Sequence, residues 1–270
     1  MIAAPATTVA ARAAATSAAV IGAGPAGLAV VARLLDTGAP RITWIDPAFN
    51  GGRLARYPEV PSNTKVALFL QYAAVSPALT KAADAASHDP RATLAALEQG
   101  KGCALVHAQK LCADLASALA SAFPDRVDVK RGWVSAVHTT SAAGAEFAVD
   151  VVDGVKDDFA PNGTGSAVAN GAKSTTVHAA RLFLCTGSEP TPTPADPAPH
   201  AVFPHIQPVN AGKVSYDSAS GALKLEGHGT VAGAHGFGIA FPERITDKWG
   251  NVEWSVGMWK FMRYIREVIV

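Results

Sequence analysis

The sequence is poor in cysteine, in long apolar runs and in charge of one sign. Its three cysteines, Cys103, Cys112 and Cys185, form no C-x-x-C and no four-residue-spaced pair. That excludes disulfide-reductase chemistry by the usual motifs and leaves no even-numbered disulfide framework. The three read as small buried apolar side chains of a protein kept in a reducing compartment. No apolar run approaches the roughly 20 residues that span a bilayer, so membrane insertion is not expected and the expected location is cytoplasmic. Lys and Arg number 23 against 22 Asp and Glu, for a net charge of +1. Such a balance offers no footprint for nucleic acid. His88 and His107 have no partner at ligand spacing, and no metal site is expected. Residues 1–16, rich in Ala and Thr with Arg12 and no acid, are either a disordered tail or a short targeting segment. The second alternative would place the protein in an organelle matrix or stroma.

What the chain does have is 49% apolar residues, ample for a core, and one stretch that organises the rest. Ala18 to Ile21 reads as a strand apolar on both faces, as a central parallel strand is when helices cover both sides of the sheet. Gly22-x-Gly24-x-x-Gly27 follows, and then a helical pattern through Val30, Val31, Leu34 and Leu35, ending at Gly38. Gly22 lets the chain turn, Gly24 lets backbone approach a pyrophosphate, and Gly27 lets the helix pack close to the strand. Pro25 and Ala26 open the helix, where a missing proline amide costs nothing and the positive dipole end faces an anion. A second strand, Arg41 to Asp46, ends in Asp46 at about the 20-residue spacing expected of a carboxylate on a ribose hydroxyl. Together these elements read as an adenine-dinucleotide site; the alternative is a glycine turn that binds nothing.

Asn50-Gly51-Gly52-Arg53-Leu54-Ala55-Arg56-Tyr57-Pro58 comes next, a second place where backbone could approach a ligand and a guanidinium could meet phosphate. Arg53 and Arg56 otherwise read as solvated loop charges. Val66 to Phe123 is helical in period, with at least three helices. Val127 to Val129, Trp133 to His138 and Glu146 to Val152 alternate as strands of a β-meander, and residues 153–173 read as an exposed loop. Val177 to Cys185 resumes strand character and runs into Thr186-Gly187-Ser188-Glu189-Pro190.

In these elements and their order, residues 17–190 resemble the two-dinucleotide-domain flavoproteins, the superfamily of thioredoxin reductases and flavin-containing monooxygenases. The resemblance implies an α/β fold: a Rossmann-like FAD-binding domain with a central parallel sheet, a β-meander insertion and a returning C-terminal helix. It implies FAD as cofactor, with Gly51, Gly52 and Arg53 at the diphosphate, residues 58–65 running toward the flavin ring, and Thr186 and Gly187 passing close to it. Val231 to Pro242 looks like the strand and glycine turn that return to the FAD domain, with Gly236 and Gly238 letting backbone pass the flavin. His235 is then either a proton-transfer group or a packing histidine, and it is the one catalytic candidate. Trp254 to Val270 carries Met258, Met262, Ile265 and Ile269 at helical spacing, with Lys260, Arg263 and Arg266 between them. This helix is expected to dock on the domain with its N-terminus toward the flavin.

The chain departs from the family after residue 190. Residues 191–230 read as a proline-rich linker, contain no second G-x-G-x-x-G, and stand where the resembled enzymes carry their NAD(P)H domain. Residues 231–270 then complete the FAD domain. The leading expectation is an FAD-dependent oxidoreductase acting on a small-molecule substrate, with electrons from that substrate, from a diffusing nicotinamide or from an electron-donor partner protein. A catalytically silent or truncated flavin binder and a single-Rossmann NAD-dependent dehydrogenase are the alternatives.

Overall fold

The computed structural model describes residues 17–139, 147–153, 173–186, 207–208, 214–225, 229–239, 241, 243–246, 248–255 and 257–270. Residues 1–16, nearly all of the 153–173 loop, Gly187 and the proline-dense run up to residue 206 lie outside them.

Every residue of β1 (Ser17–Ile21) is buried. Because strand side chains alternate, Ala18 and Val20 enter one apolar cluster and Ala19 and Ile21 another. Strand β1 is central to a parallel core in the order β3 (Val127–Thr139), β2 (Arg41–Asp46), β1, β6 (Arg181–Leu184), β10 (Gly229–Gly236). Antiparallel strands extend both edges: β4 (Phe147–Asp153) and β5 (Ser174–Ala179) beyond β3, and β9 (Ala222–Leu225) and β8 (Val214–Tyr216) beyond β10. The two-residue β7 (Gln207–Pro208) pairs in parallel with β3. A separate hairpin joins β11 (Glu243–Thr246) to β12 (Val252–Ser255).

The sheet is not covered by helices on both sides. Helices α1 (Pro25–Asp36), α2 (Val66–Ala74), α3 (Pro77–Ala85), α4 (Ala92–Ala95), α5 (Leu105–Ala122) and α6 (Met258–Val268) share one core with Ala18, Val20, Ile42, Trp44 and Phe183. The other face of the parallel strands, Ala19, Ile21, Ile45, Leu182 and Leu184, packs on Val134, Phe147, Val149 and Val177 of the meander. A two-sided apolar strand reports two buried faces and says nothing of whether helix or sheet does the burying.

Strand β3 carries the chain from one layer into the other. Its residues 127–131 pair in parallel with β2, and residues 132–139 pair antiparallel with β4. The sequence expectation was two strands. Gly132 makes them one, because a Cβ there would lie 2.6 Å from the Val152 carbonyl oxygen. The segment read as linker also contains structure: β8 and β9 form a hairpin on β10. Its turn is tied by Asp217, whose Oδ1 accepts from the amides of Ala219 and Ser220, and by Gly221 at φ +69°.

The C-terminal end of α1 is tied to distant segments. The Arg126 guanidinium donates to the carbonyls of Leu35 and Ala39, and that of Arg33 to those of Arg266 and Ile269. Ser76 caps α3 by accepting from the Leu79 amide, with Pro77 at the first helical position. Among the described residues no single helix is long and apolar enough to cross a membrane. The helices α2 and α3 satisfy that test only as a pair bent by 97°, and both contribute residues to the helical core.

Helix α6 docks as expected but with an unexpected face. Lys260 is fully buried, donating to the Phe241 carbonyl and lying 5.0 Å from the centre of the Tyr264 ring. Burial lowers its pKa to about 8, against the opposing pull of Glu243 and Cys185. The folded protein thus holds this proton less tightly than the unfolded chain, where lysine titrates near 10.5. Stability is therefore lowest below about pH 8 and rises as pH climbs toward 10.5. Urea unfolding at pH 7 and at pH 9.5 checks this: Lys260→Met is expected to gain about 1 kcal/mol at pH 7 and to lose the rise with pH. An undiminished rise in the variant would assign the pH dependence to another group.

Candidate functional site

The carboxyl ends of β1, β2 and β6, with the first turn of α1, open onto a cavity of about 1050 Å³. Of the residues singled out from sequence, Gly22, Gly24, Pro25, Ala26, Asp46, Gly52, Arg53, Thr186 and Gly238 line it. Gly27, Gly51 and Gly236 do not line it, and Gly187 lies outside the described residues.

The three fingerprint glycines are glycine for different reasons. At Gly22, φ is +105° and a Cβ would sit 2.6 Å from the Cys185 carbonyl oxygen. At Gly27 a Cβ would sit 1.9 Å from the Gly22 carbonyl oxygen, so the helix lies directly against the turn that precedes it. Gly24 is unlike both: its φ of −77° suits any residue, and a Cβ would meet nothing closer than 3.9 Å. Its neighbours at that distance are Gly51 and Gly52. A Cβ on Gly52 would in turn lie 3.0 Å from the Gly24 Cα, so the two loops meet backbone to backbone at the cavity wall.

Asp46 is almost fully buried. Its Oδ2 accepts from the Ala23 amide at 2.8 Å, and its Oδ1 accepts from Ala48 and Phe49 at 2.8 and 2.7 Å. It therefore ties the end of β2 to the glycine turn, and a carboxylate's roughly four lone-pair sites leave one for a further donor. Thr186 presents a buried Oγ1 with no hydrogen-bond partner among the described residues. Gly238, at φ +103°, lies beside Thr186 and Ala26. Cys185 also lines the wall, but burial pushes its thiol far above the ordinary range and keeps it protonated.

His235 is not at the cavity. It pairs with Phe183 across β10 and β6, and its ring stacks on those of Phe183 and Phe237 at 5.8 and 6.3 Å. Burial and then Arg181 lower its pKa, favouring neutral imidazole. These contacts are those of a histidine packed between aromatic rings.

Three side chains escaped the sequence reading although they hold the loops in place. The Trp44 indole donates to the Gly22 carbonyl at 2.9 Å, the Tyr72 hydroxyl to the Pro25 carbonyl at 2.6 Å, and the Gln109 amide to the Asn50 carbonyl at 2.6 Å. Trp44, two residues before Asp46 on the same strand, was legible from strand alternation. Tyr72 and Gln109 come from separate helices and carried no local signal.

No family model matches the chain. It is 38% identical over 186 residues to a curated protein, Monooxygenase AgnR1 of Paecilomyces divaricatus. The match takes in 66% of this chain and 43% of that relative, so the chain corresponds to less than half of the relative's length. Among solved structures it is similar to the polycyclic ketone monooxygenase from the thermophilic fungus Thermothelomyces thermophila, at 16% identity and a TM-score of 0.40 over 63% of this chain and 23% of that one. It is also similar to OTEMO in an FAD-bound form, at 15% identity and a TM-score of 0.42 over 66% and 26%. A thioredoxin reductase from Gloeobacter violaceus follows at 12% and 0.33, over 65% and 35%. All three TM-scores fall below 0.5, and the sequence match to the monooxygenase is the stronger similarity.

The contrast between the glycines is directly testable by thermal and urea unfolding of the purified apoprotein. Gly27→Ala forces helix and turn apart and is expected to cost about 3 kcal/mol or to prevent folding. Gly24→Ala, which meets no clash but places alanine at the helix N-cap, is expected to cost no more than about 1 kcal/mol. Comparable losses in both would mean that Gly24, too, is required by the fold.

Proposed function

We propose that the chain is a relative of the two-dinucleotide-domain flavoproteins, binds FAD in this cavity and acts as an FAD-dependent oxidoreductase on a small-molecule substrate, a reading that the 38% identity to a monooxygenase supports. The observation that carries the reading is Gly24. Gly24 is the N-cap of α1 with no side-chain cap, a place where Ser, Asp or Asn would cap the helix better than glycine, and neither its φ nor its packing requires a missing side chain. Close approach of a ligand to the backbone does. Gly52, pressed against it from the second loop, extends the same wall, as the diphosphate of a dinucleotide needs.

The residues present fit that cofactor. The first turn of α1 offers amide donors and the positive end of the helix dipole to a diphosphate, and Arg53 lines the same cavity. The remaining lone-pair site of Asp46 suits a ribose hydroxyl, and the Thr186 hydroxyl is a polar group in want of a partner within the described residues. Leu68, Phe69, Trp133, Val134, Met258 and Phe261 line the cavity with apolar surface, which excludes water around a flat ring system. Gly257 and Met258 bring the N-terminus of α6 to the wall.

FAD supplies the hydride or electron transfer when bound. The chain's own part is to bind, orient and exclude water. Asp46 is committed to three amides and Cys185 stays protonated, so neither supports a proton-transfer role. The electron donor in this reading is the substrate, a diffusing nicotinamide or a partner protein.

Reconstitution with FAD, followed by gel filtration and an absorption spectrum, tests the binding claim: retained absorbance at about 450 nm is expected. Gly24→Ala is expected to weaken FAD by at least tenfold, or about 1.4 kcal/mol, while remaining folded. A colourless protein that takes up no FAD would overturn the reading. Stopped-flow mixing with NADH, NADPH and a panel of amines and alcohols then separates an enzyme from a silent binder, since a silent binder is reduced by none of them.

A further inference from the structure

We propose that the buried hydroxyl of Tyr72 is a positioning group for the ligand's diphosphate, acting through the Pro25–Ala26 peptide. This rests on the dinucleotide reading above and adds a residue to it that lies outside the cavity.

The argument begins with what α1 can offer. Its first residue, Pro25, has no N–H, so the first amide the helix presents is that of Ala26, a cavity-lining residue. The Pro25 carbonyl and the Ala26 amide are opposite ends of one rigid peptide plane. Tyr72 donates to the carbonyl end at 2.6 Å from the core side. That bond fixes the tilt of the plane, and by polarising the carbonyl it strengthens the N–H at the other end as a donor.

The fold does not need this hydroxyl to satisfy Pro25. In a regular α-helix the carbonyl of the first residue already accepts from the amide four residues on, here Ala29, and the Ala29 amide also lies against the phenol oxygen. Tyr72 is fully buried among apolar side chains, where phenylalanine would pack without the cost of burying a hydroxyl. The hydroxyl is thus an addition to a bond the helix makes by itself. Burial raises the Tyr72 pKa well above the ordinary tyrosine value, so the phenol remains protonated.

A neighbouring peptide shows the contrast. The Gly22–Ala23 plane is held at both ends, its carbonyl by Trp44 and its amide by Asp46. That plane is closed and serves the turn. The Pro25–Ala26 plane is held by a side chain at its carbonyl end, and its amide belongs to the residue that lines the cavity.

The experiment is calorimetric titration of the full chain and its Tyr72→Phe variant with FAD, ADP and adenosine, together with melting temperatures. Tyr72→Phe is expected to weaken FAD and ADP about tenfold, to leave adenosine unchanged, and to shift the melting temperature by less than about 3 °C. In an Ala26→Pro background, which removes the amide from a first-turn position where proline is tolerated, the further change Tyr72→Phe is expected to have no effect on ADP. Unchanged ADP binding by Tyr72→Phe would overturn the proposal. So would an equal loss of ADP and adenosine with a large drop in melting temperature, which marks a purely structural role. Failure of the parent protein to bind either FAD or ADP would overturn the dinucleotide reading and this proposal with it, and is distinguished from the other outcomes by appearing in the parent.

Discussion

The contact on which the rest depends is that between Gly27 and the carbonyl of Gly22. No side-chain atom separates helix from turn there, so α1 begins almost at the end of β1 and its first amides fall at the carboxyl edge of the sheet. Once that contact is made, the Gly22 carbonyl is turned toward Trp44, the Ala23 amide toward Asp46, and the Pro25 carbonyl toward Tyr72. Each of these groups belongs to a different part of the helical core or of β2. A shift of the helix by the width of a methyl group would misalign all three, because hydrogen bonds of 2.6–2.9 Å tolerate little displacement. The precision of the cavity wall is inherited from the packing behind it.

Much of this was legible along the sequence where the signal is local. The first strand, the helix after the fingerprint glycines and the strand that ends in Asp46 are set by spacing within short segments, and the structure has these elements; of the glycines, Gly22, Gly24 and Gly52 line the cavity and Gly27 and Gly51 do not. Groups whose role depends on elements distant in the chain were not legible. Tyr72 is one apolar-patterned residue among several on α2, and only the approach of α2 to α1 gives its hydroxyl a purpose. Lys260 reads as a polar-face residue of an amphipathic helix, but it is buried against the Phe241 carbonyl and the Tyr264 ring. His235 is attractive in sequence because it sits between glycines, and alternation along β10 turns it into the helical core rather than toward the cavity. The meander covering one face could be listed strand by strand, yet its placement over the sheet follows from β3 running unbroken from its pairing with β2 to its pairing with β4, with Gly132 where the Val152 carbonyl leaves no room for a Cβ.

The division between fold and ligand runs through the glycines as well. Gly22 and Gly27 are explained by φ and by contact within the folded chain. Gly24 is explained only from the cavity side, and the same test separates Arg126, which satisfies carbonyls at the end of α1, from Arg53, which lines the cavity. His235, stacked on Phe183 and Phe237, falls with the residues explained by contact within the fold.

The bonds from Arg33 to residues 266 and 269 join positions more than 230 residues apart. Helix α6 lies over a face of α1 that belongs to the common core, so a nascent chain that has emerged only as far as β10 still carries an uncovered apolar surface on its first helix. The core around α1 therefore cannot be sealed in order of synthesis: the last helix of the described chain closes over the first, and such a long-range contact carries a loop-closure cost that local contacts do not.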